Sequence, residues 1–240
     1  MSLQRTNFYP ESVIFSRQPE TQLPRFFLNP SRMNTLLRKS FAITASAFIA
    51  ALSIGSASGQ AAKVLADKPA FDDIPSPEFG GTKNKSFKPK DWLEIEAKLQ
   101  ISLSPEPPTK TCDKITVKWY IAVKNPEKSG TFLLLTKDID HVNVPVSEDV
   151  YCSVYLSPSS IKRLTGFDRA GKSSVEYVGY EVLINGEKVA QETSKGKVGW
   201  WSAASDKISR SDKVQLLNKT ETPFSPMWWD RYAEVSVERR

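Results

Sequence analysis

The sequence is short of the residues on which most enzyme and metal sites depend. Its 240 residues include one histidine and two cysteines. A single imidazole excludes a metal site built from histidines alone and any mechanism that needs two imidazoles. The sequence also lacks a glycine-rich phosphate loop, a nucleophile elbow and a zinc-protease helix. We therefore expect a non-enzymatic protein without a cofactor, although a hydrolase with carboxylates scattered along the sequence remains an alternative.

Long apolar runs are missing as well. The run from Phe41 to Ile54 has 14 residues without a charge, whereas a membrane-spanning helix needs about 20 apolar residues. A basic segment that opens at Met33 precedes it and small residues follow it, which is the pattern of a secretory signal peptide. We predict a signal peptide at residues 33–59 and interpret residues 1–32 as an upstream extension that is not translated in vivo.

Export has two consequences for the mature protein. We expect it in the periplasm, in the outer membrane or at the cell surface of a Gram-negative bacterium, without an integral membrane span after processing. Residues 1–59 also carry most of the net positive charge, because they hold six of the 33 basic residues but only two of the 27 acidic ones. The remainder is nearly neutral, so a nucleic-acid partner is not expected.

The mature chain divides into two segments of different composition. Residues 60–90 are rich in proline and lysine, which predicts a flexible linker or extended arm. From Trp92 to Leu103, apolar and polar residues alternate, which is the period of a half-buried strand, and the pattern returns from Ile115 to Val123. Short strands separated by turn residues continue to the end, so residues 91–240 are predicted to form an antiparallel, immunoglobulin-like β-sandwich, an all-β fold.

Three local signals refine this prediction. Ser157 followed by Pro158 favours the start of a short helix over residues 159–164. The dipeptide Asn185-Gly186 predicts a two-residue hairpin turn, which places Val182 opposite Val189. Residues 198–202 are interpreted as a further strand.

The two cysteines, Cys112 and Cys152, both follow the predicted signal peptide. An even number of cysteines in an exported protein favours a disulfide. Closing a loop of about 40 residues would stabilise the fold by about 3–4 kcal/mol on the chain-entropy estimate. The alternatives are two free buried thiols or a catalytic cysteine, and no histidine is visibly linked to either position.

Asp138 and Asp140 are the weak candidates for a metal site. On a strand they share a face while His141 points away, so they offer two oxygen ligands but not three convergent ones. A solvated strand end is the favoured explanation for them, and we expect no metal.

Tryptophan is the more informative residue type. Trp200-Trp201 and Trp228-Trp229 are adjacent pairs, and neighbours on a strand point to opposite faces. If both pairs lie on strands, one ring of each faces outward unless another layer covers it. Such rings predict a protein interface or a platform on which a sugar stacks. In the third interpretation, loops fold over the rings.

The same tryptophans carry a family resemblance. With the export signal and the cysteine pair, Val198-Gly199-Trp200-Trp201 and the segment from Thr222 to Trp229 resemble the pilus-like secreted proteins of mucin-degrading Verrucomicrobia such as Akkermansia, which are encoded near type IV pilus or secretin genes. The resemblance implies an immunoglobulin-like sandwich with protein partners in a pilus-associated or cell-surface assembly, and it is compatible with a homo-oligomer. A β-sandwich that binds glycans such as mucin through exposed tryptophans is the alternative function.

Overall fold

The computed structural model describes residues 61–78 and 88–237. The interpreted extension at residues 1–32 and the predicted signal peptide at residues 33–59 lie outside these ranges. The described residues fall in one compact unit, Gly55–Arg240. Neither described range contains a helix long and apolar enough to cross a membrane.

Strands dominate the described residues. In chain order they are β1 (Ala61–Ala66), β2 (Ala70–Pro75), β3 (Asp91–Ser104), β4 (Thr111–Lys124), β5 (Phe132–Pro145), β6 (Asp149–Leu156), β7 (Val175–Ile184), β8 (Glu187–Thr193), β9 (Ile208–Arg210), β10 (Leu217–Asn218) and β11 (Glu234–Val235), with the helix α1 (Pro158–Thr165) between β6 and β7.

These strands form two sheets. The first has the order β1-β3-β6-β10, and β2 pairs with the N-terminal half of β3 on the same edge as β1. The second has the order β11-β5-β4-β7-β8, and β9 runs parallel to β5. The other pairings are antiparallel. The predicted all-β sandwich is confirmed.

The core lies between the sheets because each long strand buries alternate residues. On β3, Leu93, Ile95 and Leu99 are fully buried, as the period of two predicts. From the second sheet, Trp119 of β4 and Tyr180 of β7 enter the same core cluster, with ring centroids 5.4 Å apart. The residues between these positions face outward, and the outer faces carry the candidate sites.

The helix and the hairpin form where the sequence predicts them. Ser157 caps α1 by accepting a hydrogen bond from the Ser160 backbone N–H at 3.2 Å. Asn185 and Gly186 both have positive φ, 54° and 81°, which the turn requires. The predicted register is wrong by one residue, because a bulge after Val182 places it opposite Ala190; an extra residue in one strand shifts its partner without altering the turn.

Two other segments differ from the prediction. Much of the linker predicted for residues 60–90 is structured, since β1 and β2 pair with β3 along its length. Three alanines in β1, the adjacent Asp72 and Asp73 in β2 and the nearby prolines conceal the alternation, and the edge position tolerates Pro75. The strand predicted at residues 198–202 is a 3₁₀ turn at Trp200–Ser202, entered through Gly199 with φ 83°.

The C-terminal segment, residues 217–237, joins the two sheets. It begins as β10 beside β6, and Tyr232 forms a bridge with Tyr151 of β6. It ends as β11 on the edge of β5, where Val235 lies opposite His141. One segment therefore contacts the outer face of the first sheet and the edge of the second.

Candidate interaction surfaces

Trp201 lies flat on the outer face of the second sheet. Its ring stacks on Tyr120 with centroids 4.9 Å apart and planes 7° from parallel. Gly179 makes this approach possible, because a Cβ there would lie 2.2 Å from Cζ3 of Trp201. The indole Nε1 donates to Oε1 of Glu181 at 3.3 Å, and the residue is 8% exposed. Trp201 is thus a buried cover for this face.

Glu181 holds Trp201 and Tyr120 in place through hydrogen bonds to its carboxylate. Burial opposes its ionisation, but hydrogen bonds from Lys188, Tyr120 and Trp201 leave the pKa of this carboxyl below its usual range. The carboxylate is therefore charged at neutral pH, and it accepts from the Tyr120 hydroxyl at 3.1 Å. This arrangement fixes the orientation of both stacked rings.

Trp200 is half-buried beside its neighbour. Its Nε1 donates to the Thr193 hydroxyl at 3.1 Å, and its ring packs edge-on against Trp201 with centroids 5.6 Å apart. A cavity of about 270 Å³ opens next to Trp200 and Tyr177. The two rings do not point to opposite faces as on a strand, because the 3₁₀ turn places both over one face.

The second pair, Trp228 and Trp229, lies in the C-terminal segment over the outer face of the first sheet. A stack leads outward from β6, with Tyr155 against Phe224 at 5.4 Å and Phe224 against Trp228 at 6.3 Å between ring centroids. Trp228 has a positive φ of 52°. The side chains are 48% and 67% exposed, respectively. These are open indole rings, unlike the first pair.

A buried lysine supports this pair from below. Lys219 is 6% exposed, and its Nζ donates to the carbonyl oxygens of Met227 and, at 3.3 Å, Ser225. The same Nζ lies 5.4 Å from the ring centroid of Trp229. Burial lowers the pKa of Lys219, which the charge of Glu94 partly offsets. The lysine therefore ties the backbone of the tryptophan turn to the sheet.

Hydrogen-bonded carboxylates complete the support. Oε1 of Glu94 accepts from the hydroxyls of Tyr155 at 2.7 Å and Tyr232 at 3.1 Å. Arg231 donates to both oxygens of Glu96 at 2.9 and 3.1 Å. The Arg231 guanidinium also lies 3.6 Å from the ring centroid of Tyr151. We call Lys219, Phe224, Trp228, Trp229 and Tyr232 the Trp229 patch.

The sequence analysis found the tryptophans of this patch but missed Lys219, Tyr232 and Arg231. Arg231 and Tyr232 have no local signal, because their partners Glu94 and Glu96 lie on β3, more than 130 residues earlier in the chain. Lys219 contacts nearby residues, but its burial depends on how the segment folds back over the sheet. The inner-outer alternation of β3 did indicate that Glu94 and Glu96 share one outer face.

The predicted disulfide between Cys112 and Cys152 is not formed in the structure, where both are free buried thiols. Cys152 lies on β6 close enough to Tyr180 to interact with it electrostatically. Tyr180 pairs with Trp119, which is seven residues along β4 from Cys112, or about 23 Å at the rise of a strand. A disulfide needs Cα atoms within about 7 Å. Burial raises the pKa of both thiols, which favours neutral, inert side chains.

The acidic pair forms ion pairs across the second sheet. Asp138 faces Lys118 at 3.5 Å, and Asp140 faces Lys114 at 2.7 Å. His141 points the other way into the protein, as predicted from the strand pattern. Among the described residues, no group of three or more acidic, cysteine or histidine side chains could hold a metal ion.

Comparisons with known proteins identify relatives of this chain in sequence and in structure. A protein-family model matches residues 55–239. A crystal structure of a protein from Akkermansia muciniphila superposes with a TM-score of 0.70 at 39% sequence identity, covering 75% of this chain and 96% of that one. None of the curated proteins compared with the chain matches it.

Proposed function

The chain belongs to the family whose model matches residues 55–239 and is related in sequence and fold to the Akkermansia muciniphila protein, and from this membership we propose that it is an exported, non-enzymatic β-sandwich that acts by protein–protein contact. We place that contact in a pilus-associated or cell-surface assembly. Export is inferred from the signal-peptide pattern at residues 33–59. The assembly is inferred from the family resemblance that the tryptophan segments carry.

The exposure of Trp228 and Trp229 is the observation that carries this proposal. A soluble domain gains nothing by holding two indole rings in water, and contiguous exposed aromatic surface marks interaction sites. Tryptophan is enriched among the residues that dominate binding energy, because one rigid ring supplies a large contact area. The Trp229 patch suits this role, since Lys219 and the stack on Phe224 hold the rings before any partner arrives.

Rigid support matters for the affinity. Ordering a flexible side chain on binding costs about 0.5–1.5 kcal/mol, and the packed position of Trp228 reduces that cost. Beside the patch, Arg231 is neutralised by Glu96. A partner with an apolar pocket would therefore bury indole surface without leaving this guanidinium unpaired.

Glycan binding is the second candidate. Trp229 is exposed enough for a sugar to stack on it, and the cavity beside Trp200 has an aromatic wall. Trp201 is buried against Tyr120 and Gly179, so it is not a stacking platform, and the glycan proposal rests on the other three tryptophans.

One experiment separates these functions. Residues 55–240 are immobilised and tested by surface plasmon resonance against secretin and pilus-system proteins of the source bacterium, and on an array of mucin glycans. Trp229→Ala should weaken binding to the protein partner by about 30-fold or more, as for a central interface residue. Leu65→Ala, which truncates an exposed side chain on β1, is the matched control and should change the affinity less than about twofold.

The opposite pattern would defeat the assembly proposal. The patch is a glycan platform if three results are obtained together. The wild type binds glycans, Trp229→Ala abolishes that binding with the fold retained, and affinity for the assembly proteins is absent or unchanged.

A further inference from the structure

A further exposed aromatic residue, Phe167, lies in the loop after α1. It is 72% exposed, the highest value among the large hydrophobic side chains of the described residues. The loop is firmly held: Ile161 and Leu164 bury the helix against the core. The Thr165 hydroxyl donates to the Ile161 carbonyl at 2.9 Å and accepts from the Phe167 N–H at 3.1 Å.

Cations lie beside this ring and in the helix turn before it. Lys88, Lys90 and Arg169 line one cavity with Phe167, and Lys162 and Arg163 belong to the last turn of α1. Asp168 lies between Lys90 and Lys162, at 3.6 and 3.5 Å, and Asp91 lies 3.9 Å from Arg169. We call these cations together with Phe167 the Phe167 surface.

The carboxylates do not cancel this charge. Five cations face two carboxylates, and within the described ranges Lys88 and Arg163 have no carboxylate within 4.0 Å, the salt-bridge distance. Further along the surface, Lys172 pairs with Asp72 at 3.2 Å, and Asp73 accepts from the Lys172 backbone N–H. The region immediately around Phe167 thus keeps a positive excess.

We propose that the Phe167 surface docks peripherally on an anionic lipid membrane, with the phenyl ring entering the headgroup boundary and the cations meeting lipid phosphates. Phenylalanine has no polar atom to satisfy, so it suits the apolar side of a membrane interface. Lysine and arginine next to it gain from the negative surface potential of anionic lipids. A cavity of about 280 Å³ between Phe167, Pro89 and the nearby cations offers room for a headgroup.

This surface shares no residue with the Trp229 patch, and the proposal stands without the proposed protein partner. It predicts weak, reversible binding, because one aromatic side chain and a few charges fall short of a stable anchor. Binding should also weaken as salt screens the charges.

The test uses the compact unit of residues 55–240, whose core is built from its own strands. The unit is mixed with sedimenting vesicles of phosphatidylcholine alone or of phosphatidylcholine with about 30% phosphatidylglycerol. The anionic lipid gives the vesicles a negative surface potential. Wild type should bind the anionic vesicles at least about tenfold more tightly. Phe167→Ser should weaken that binding about tenfold or more, and Arg163→Glu about fivefold or more.

Matched controls lie on β1, at an edge of the first sheet. Leu65→Ser removes an exposed apolar side chain, and Lys63→Glu reverses an exposed charge; both should bind anionic vesicles like wild type. Thermal unfolding confirms that each variant folds. If wild type does not prefer anionic vesicles, or if Phe167→Ser and Arg163→Glu bind like the β1 controls, the proposal is wrong. It is also wrong if soluble polyphosphate binds as tightly as the vesicles and Phe167→Ser leaves both affinities unchanged, because the surface is then an anion site.

Discussion

Acidification should destabilise this protein through its one histidine. His141 is 1% exposed, and its Nδ1 lies 3.2 Å from the carbonyl oxygen of Ala233. In the neutral ring, Nδ1–H donates to that carbonyl, and Nε2 has no hydrogen-bond partner among the described residues. Burial lowers the pKa of His141 to about 4, although the backbone of Ala233 and Glu234 and the charge of Asp140 act in the opposite direction.

The sign and size of the effect follow from proton linkage. In the unfolded chain, histidine has a pKa near 6.5, so between about pH 6.5 and 4 the unfolded state binds more protons than the folded state. The contribution of neutral His141 is fully present above pH 6.5 and is lost as the pH falls toward 4. A shift from 6.5 to about 4 corresponds to about 3.4 kcal/mol over the whole window, and to about 2.5 kcal/mol at pH 4.5.

Urea unfolding of wild type and His141→Gln measures this directly. Glutamine does not titrate, and carboxylates common to both proteins cancel in the difference. Between pH 7.5 and 4.5, wild type should lose about 2.5 kcal/mol more stability than the variant. Because the sequence has one histidine, no other imidazole can contribute. Equal losses in the two proteins would refute the reasoning, as would a histidine titrating near pH 6.5 by NMR in the folded state.

Three further predictions concern the packing. Gly179→Ala should destabilise the fold by about 1–3 kcal/mol by displacing Trp201, and in a Trp201→Ala background the same substitution should cost little; additive effects in this double-mutant cycle would contradict the proposed contact. Lys219→Met should leave the sandwich folded but free the tryptophan turn, seen as faster acrylamide quenching of the exposed indoles; unchanged quenching would exclude the clamp. Cys112 and Cys152 should react with a thiol reagent after unfolding without reductant, and a protein that yields no thiols would contain the disulfide that the structure lacks.

Local sequence patterns predict much of this fold. The alternation on β3 and β4 follows from burial of one face of a strand, which depends on neighbours two residues apart. The caps of α1 and the turn at Asn185-Gly186 depend on the backbone freedom of a few adjacent residues. Such features can be predicted because their causes lie within one segment. The short strands β1 and β2 were missed because each has six residues and neither shows a clear contrast between its faces, since β1 is half alanine and β2 has two adjacent aspartates.

The sequence by itself determined the class of the fold and the abundance of tryptophan, but it did not decide which tryptophans are open to solvent. Tertiary structure buried Trp201, because Gly179 leaves space for the ring, and it left Trp229 exposed above Lys219. It also separated two cysteines that an exported protein would be expected to join, placing them on different sheets and far apart along the strands. Exposure and distance depend on contacts between residues remote in the chain, and those contacts exist only after the sheets have packed together.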